Sequence, residues 1–123
     1  MSLRFAELVI DCREPAPVAT FWAAALGIDL PAPDDDGDYE LRVPGQSATW
    51  LFLRVPAESA EPKTVKNRLH IDLSPESPAE QQSEVERLLA LGATRVDVGQ
   101  GADVSWVVLA DPEGNELCVL RGG

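Results

Sequence analysis

His70, the only histidine of the chain, stands two residues before Asp72 in "RLHIDL" (68–73), and Glu116 stands two before Cys118 in "NELCVL" (115–120). In a strand, a spacing of two puts both members of each pair on the same face. An imidazole beside a carboxylate is an acid–base pair that works near neutral pH, so His70 reads as a general base or acid with Asp72 or Glu116 orienting it. Cys118 has three readings: a ligand for a soft ion, a nucleophile or a small buried hydrophobe. A reactive thiolate needs a neighbouring cation or helix N-terminus, and the acidic residues around Cys118 offer the reverse. The nucleophile is therefore the weakest of the three.

A second group could bind rather than react. Trp50, Phe52 and Arg54 alternate along "TWLFLRV" (49–55), and Trp106 opens "SWVVLA" (105–110). Aromatic rings sharing one face would stack on a planar ligand, with Arg54 or Asp72 fixing its orientation. Trp22, on a helix with Val18, Phe21 and Ala25 at helical spacing, reads as core.

These residues need elements to position them. "RFAELVIDC" (4–12) reads as a strand, and "PAPVATFWAAALG" (15–27) as a helix opened by prolines and stopped by Gly27. The loop "PAPDDDGD" (31–38) is a solvated turn, with a lid over the site as the alternative. "YELRV" (39–43) and "TWLFLRV" (49–55) are strands, and 56–64 is a polar connector. The order then repeats: strand "RLHIDL", helix "AEQQSEVERLLALG", and strands "TRVDV" (94–98), "SWVVLA" and "NELCVL". The marks "VID"/"HID" before each helix and "AALG"/"LALG" at its end point to an internal duplication with a period of about 60 residues.

Composition excludes several classes. Twenty-one acids against ten bases give a net charge of −11, which repels phosphate backbones and anionic membranes. Nucleic acid and membranes are accordingly not expected partners. No apolar run approaches the ~20 residues needed to cross a bilayer. With no basic-then-apolar leader in "MSLRFAELVID" and only two cysteines, free thiols and a cytoplasmic location are expected. Alternation places Cys12 and Cys118 on opposite faces, so no disulfide is expected between them. "PGQS" and "GQGAD" do not open into helices and are not phosphate loops.

The doubled strand–helix–strands unit, with "KNRLHIDL" opening its second copy and "SWVVLADPEGNE" near its end, resembles the vicinal oxygen chelate superfamily. This group includes glyoxalase I, bleomycin-resistance proteins and extradiol dioxygenases, and the likeness is strongest to its short glyoxalase-like domains. The resemblance implies an α+β fold with a single domain over 1–123. Two βαβββ modules, about 3–55 and 67–121, would form one curved eight-stranded mixed sheet around a ligand cup. It also implies a homodimer.

The resemblance further implies metal positions on the first strand of each module and on the last. His70 matches the second-module histidine, and Glu7 falls at or near the first-module ligand, with Val9 as the alternative from the "ID" repeat. Phe52 stands at the equivalent first-module end and offers no donor. Cys118 occupies the place of the usual final carboxylate, with Glu116 two residues early. The usual divalent site is therefore not expected; Glu7, His70 and Cys118 would suit Zn²⁺ if an ion binds. The leading expectation is a glyoxalase/bleomycin-resistance-like protein, without a cofactor, holding a small aromatic or hydrophobic molecule. Trp50, Phe52, Arg54, Asp72, Trp106 and Cys118 would line its cup. The alternative is a lyase or isomerase acting next to a carbonyl, with His70 and Glu116 as catalytic groups. A regulatory module with a vestigial cup is the third reading.

Overall fold

The computed structural model describes residues 2–56, 58 and 62–122, so the connector expected over 56–64 falls partly outside the described residues. The chain divides into two compact units, Met1–Glu61 and Pro62–Gly123. The first unit runs β1 (Glu7–Cys12), α1 (Pro15–Leu26), β2 (Tyr39–Arg42) and β3 (Thr49–Arg54). Its three-stranded sheet has the order β1-β3-β2, with β1 parallel to β3 and β2 antiparallel to it. α1 starts where Pro15, lacking an N–H, occupies a position whose donor would have no helical partner. It stops at Gly27, whose left-handed φ of 70° turns the chain as its N–H and that of Ile28 close on the last carbonyls.

Register decides which side of this sheet is core. Leu8 lies beside Trp50, Ile10 beside Phe52, and Leu41 beside Trp50 on the other flank. Residues paired across a sheet share a face. Leu41, Trp50, Phe52 and Cys12 are therefore buried together with Val18, Phe21 and Trp22 of α1. The rings of Phe21, Trp22 and Trp50 form an edge-to-face series with centroids 5.5 Å apart at each step. Glu7, Val9 and Asp11 take the opposite, exposed side of β1.

The second unit runs β4 (Ile71–Leu73), a 3₁₀ turn (Pro78–Glu80), α2 (Gln81–Ala90), β5 (Thr94–Arg95), β6 (Val107–Ala110) and β7 (Glu116–Val119). Its sheet order is β4-β7-β6-β5, with β4 parallel to β7 and the other pairs antiparallel. Leu109, Leu117 and Val119 are buried on one face, and α2 contributes buried Val85 and Leu88. Gln81, opening α2, donates its side-chain amide to the carbonyls of Ser105 and Val119, which ties the helix to β7 and the approach to β6.

Both units thus follow the strand–helix–strands order, giving an α+β architecture of two small mixed sheets, one with three strands and one with four, and two helices. The expected count of eight strands is not reached: seven are present among the described residues. The first unit has no strand in the 28–38 segment, where the second unit has β5. Pro31 and Pro33 interrupt that stretch and cannot donate to a ladder. β4 is also shorter than the expected 68–73, leaving His70 just ahead of the strand.

Candidate functional site

The site begins with a turn. Asp111, which is buried, accepts the N–H groups of Glu113 and Asn115 on Oδ1 and the Asn115 side-chain amide on Oδ2. Gly114, at φ 89°, completes the reversal. This fixes the β6–β7 register, so that Val108 lies opposite Cys118. On the other flank of β7, Asp72 lies directly beside Cys118. Val108, Cys118 and Asp72 therefore share the face of the sheet away from Leu109, Leu117 and Val119.

That face borders a cavity of about 470 Å³ built entirely from the second unit. Val98, Trp106, Val108 and Leu120 supply its apolar wall, and Lys66, His70, Asp72, Gln100, Glu116 and Cys118 its polar groups. Trp106 is 40% exposed and presents part of its ring to the cavity. His70 Nε2 lies 3.1 Å from Asp72 Oδ1, and both side chains are open to solvent.

Glu116 sits in the wall with a defined role. Its two oxygens each accept the Asn67 N–H at 3.1 Å; Lys63 pairs with one oxygen, and Lys66 stands 3.9 Å from the other. Burial pushes the carboxyl pKa upward, but Lys63, the Asn67 N–H and Lys66 outweigh it and hold the group below its ordinary value. Glu116 thus anchors the 63–67 segment as a paired anion and has little remaining capacity to take a proton. Cys118 is the opposite case. Burial pushes its thiol pKa up, and Asp72, through charge and a hydrogen bond, and Glu116, through charge, add to the rise, which the Lys66 ammonium only partly offsets. The raised pKa favours the neutral thiol over the thiolate.

The residues expected to line a cup are divided. His70, Asp72, Trp106, Glu116 and Cys118 come together at this cavity. Trp50 and Phe52 do not face a cup: they are 6% and 0% exposed, on the α1 side of the first unit's sheet. Four consecutive apolar residues, Trp50 to Leu53, carry no polar alternation to mark the faces, and pairing with Leu8 and Ile10 assigns them. Trp50 donates its indole N–H to Gln46. Arg54, by the same register, is not on a cup either; its guanidinium donates to the Arg13 carbonyl. Lys66, Val98 and Gln100 line the cavity without having been singled out: Lys66 and Gln100 lie in loops, and Val98 lies beyond β5, which ends at Arg95 and not at the expected 98. Lys66 is the first residue of the "KNRLHIDL" stretch that carries the family resemblance.

The superfamily resemblance implies a divalent metal, and the donors present can be tested against one. Among the described residues, His70, Asp72 and Cys118 offer a nitrogen, an oxygen and a sulfur within 4.8 Å of one another. This set fits a borderline-soft ion such as Zn²⁺ better than Mg²⁺ or Mn²⁺, which favour oxygen. Glu7 belongs to the first unit, exposed on β1, and Asp72 is the carboxylate next to His70 and Cys118 in the second. Phe52 offers no donor. The other acidic group, Asp34, Asp36 and Asp38, serves its own loop: Asp34 Oδ1 accepts the N–H groups of Asp36 and Asp38, while Asp38 accepts that of Arg54.

Comparison with solved structures defines the class of fold. A glyoxalase/bleomycin resistance protein from Albidiferax ferrireducens T118 is 21% identical and superposes with a TM-score of 0.62, over 94% of this chain and 96% of that one. A variant of the fosfomycin resistance protein FosX from Listeria monocytogenes, complexed with Mn(II) and 1S,2S-dihydroxypropylphosphonic acid, is 11% identical with a TM-score of 0.72, over 100% and 93%. TnmS3, an antibiotic binding protein from Streptomyces sp. CB03234, is 16% identical with a TM-score of 0.60, over 98% and 97%. At these identities the likeness is one of fold alone. Within that class, the chain belongs to the glyoxalase-like domain family, whose sequence model matches residues 7–120. Among curated protein sequences none is significantly similar. Among the described residues no helix is long and apolar enough to cross a membrane.

Proposed function

We propose that the protein binds a small, largely apolar and planar molecule in the cavity of its second unit, independently of any metal. The observation that carries this reading is the cavity itself: an apolar wall that includes a half-open indole, with the polar groups gathered near His70 and Asp72. Such a combination gives affinity through buried apolar area and orientation through a few polar contacts. TnmS3, an antibiotic binding protein, and the glyoxalase/bleomycin resistance protein make antibiotics with planar, apolar portions the first chemistry to test. Thermal melts of the protein across a panel of such compounds should give stabilising hits that disappear in Trp106→Ala. A panel without hits, or hits unaffected by that change, would remove the proposal.

The His70–Asp72 pair supports a second reading, a lyase or isomerase in which His70 moves a proton next to a carbonyl. Deuterium exchange at such carbons, followed by NMR over small ketones and hemithioacetals, should then fall by at least about 100-fold in His70→Gln. Glu116, already paired, is assigned to holding the wall. With the family resemblance we also infer one domain made of the two modules as a single curved sheet, acting as a homodimer. Light scattering on the purified chain tests the dimer.

A further inference from the structure

We propose that Lys66 selects the charge of the ligand, so that the molecule held in the second unit's cavity is a planar, apolar compound carrying an ionised acidic group such as a carboxylate. This inference rests on the binding reading above and narrows it to a chemical class.

The charged groups at the cavity are matched with partners, with one exception. Glu116 is buried in contact with Lys63, and both of its oxygens accept the Asn67 N–H. Asp72 has His70 Nε2 3.1 Å from one oxygen and shares a hydrogen bond with the Cys118 thiol. Lys66 is the one permanent cation among the described residues that line the cavity. Its ammonium stands 3.9 Å from Glu116, beyond hydrogen-bond reach, and donates only to the carbonyl of Asn67, its own chain neighbour. An ammonium carries three donors, so capacity remains for a ligand. The Lys66 side chain is 56% exposed, which leaves that capacity open to an incoming anion.

Glu116 also fixes where this cation stands. It holds Lys63, three residues before Lys66, and the Asn67 N–H immediately after, so the backbone on both sides of Lys66 is tied to β7. A cation on an anchored backbone is pre-organised, and less freedom is lost when an anion meets it. Lys63, in contact with Glu116, neutralises the carboxylate and leaves Lys66 for the cavity.

Two features point to the opposite sign, and neither governs the Lys66 end. The net charge of −11 is spread along the chain, and exposed charges beyond about 8–10 Å are largely screened at physiological salt. At the floor, burial and then the Asp72 carboxylate push the Cys118 pKa up against the pull of Lys66. The acidic group therefore belongs beside Lys66 and away from that floor, with the planar body against Trp106 and Val108.

The test is calorimetric titration of the full chain near neutral pH with naphthoic acid, naphthamide and naphthylmethylamine, one ring system in anionic, neutral and cationic form. The acid should bind roughly 10-fold or more tightly than the amide, as expected of one charge-assisted hydrogen bond, and the amine no more tightly than the amide. Lys66→Gln should bring the acid down to the level of the amide, whose own affinity stays within about 2-fold. The amide thus reports on the fold and the apolar wall within the same variant. Equal affinity for acid and amide, a preference for the amine, an acid preference that survives Lys66→Gln, or loss of amide binding in that variant would each overturn the assignment. Binding of the amide without a preference for the acid removes the charge assignment alone. Failure of all three probes to bind removes the cavity reading and this assignment with it.

Discussion

The two units share an order of elements and part ways in what they do with aromatic and polar side chains. In the first, Phe21, Trp22, Trp50 and Phe52 are stacked between α1 and the sheet, where burial and edge-to-face packing hold the unit together. In the second, the helix-facing core is aliphatic, with Val85, Leu88, Leu109, Leu117 and Val119. Its single tryptophan stands half-open on a cavity beside an imidazole, a carboxylate and a thiol. One unit spends its large rings on stability, and the other exposes its ring where a ligand can use it. Family membership alone would not have separated these roles, because the fold hosts many sites.

The sharpest way to break this contrast is to truncate rings on both sides. Trp22→Ala or Phe52→Ala should cost about 3–5 kcal/mol in urea unfolding, since each leaves a large void in a packed core. A loss under ~1 kcal/mol would mean that the first unit does not depend on its aromatic core.

Next in size is Glu116→Gln, expected to cost about 2 kcal/mol near neutral pH by weakening charge-assisted bonds to Lys63 and Asn67. Because the folded carboxyl has a lowered pKa, the stability it contributes is fully present above the ordinary carboxyl value of 4.5. It is lost as pH falls through the depressed native value. Denaturant curves should therefore show the gap between parent and variant closing in acid and constant from about pH 6 to 8. A gap that widens in acid would contradict the pairing.

A smaller effect concerns reactivity. With its pKa raised, Cys118 should be alkylated by iodoacetamide more slowly in the folded chain than in urea, as followed by mass spectrometry of its peptide. Fast modification of the native thiol would mean that it is activated. The smallest stability change is expected of Trp106→Ala, within about 0.5 kcal/mol, despite the size of the ring removed.

Much of the architecture was legible in the residues. Prolines at 15 and 17 and Gly27 bracketed α1, and the alternation in "NELCVL" assigned Leu117 and Val119 to one face and Glu116 and Cys118 to the other. "TWLFLRV" was not legible in the same way. With Trp50, Leu51, Phe52 and Leu53 all apolar, either face could be the core, and only pairing with β1 breaks the tie. The family resemblance implied eight strands, but prolines at 31 and 33 weigh against the additional one in the first unit. At the site, spacing brought His70, Asp72 and Cys118 into view. That Lys63 and the Asn67 N–H occupy Glu116 was not legible, since the contact spans 49 residues or more and leaves no local pattern.

The most direct test is an equilibrium titration of the folded protein with a fluorescent naphthalene sulfonate dye, run in parallel on Trp106→Ala and Trp50→Phe. The account predicts saturable binding of one dye per chain, lost in Trp106→Ala and retained in Trp50→Phe. Binding that survives the loss of Trp106 but not the change at Trp50 would place the ligand surface in the wrong unit and contradict it.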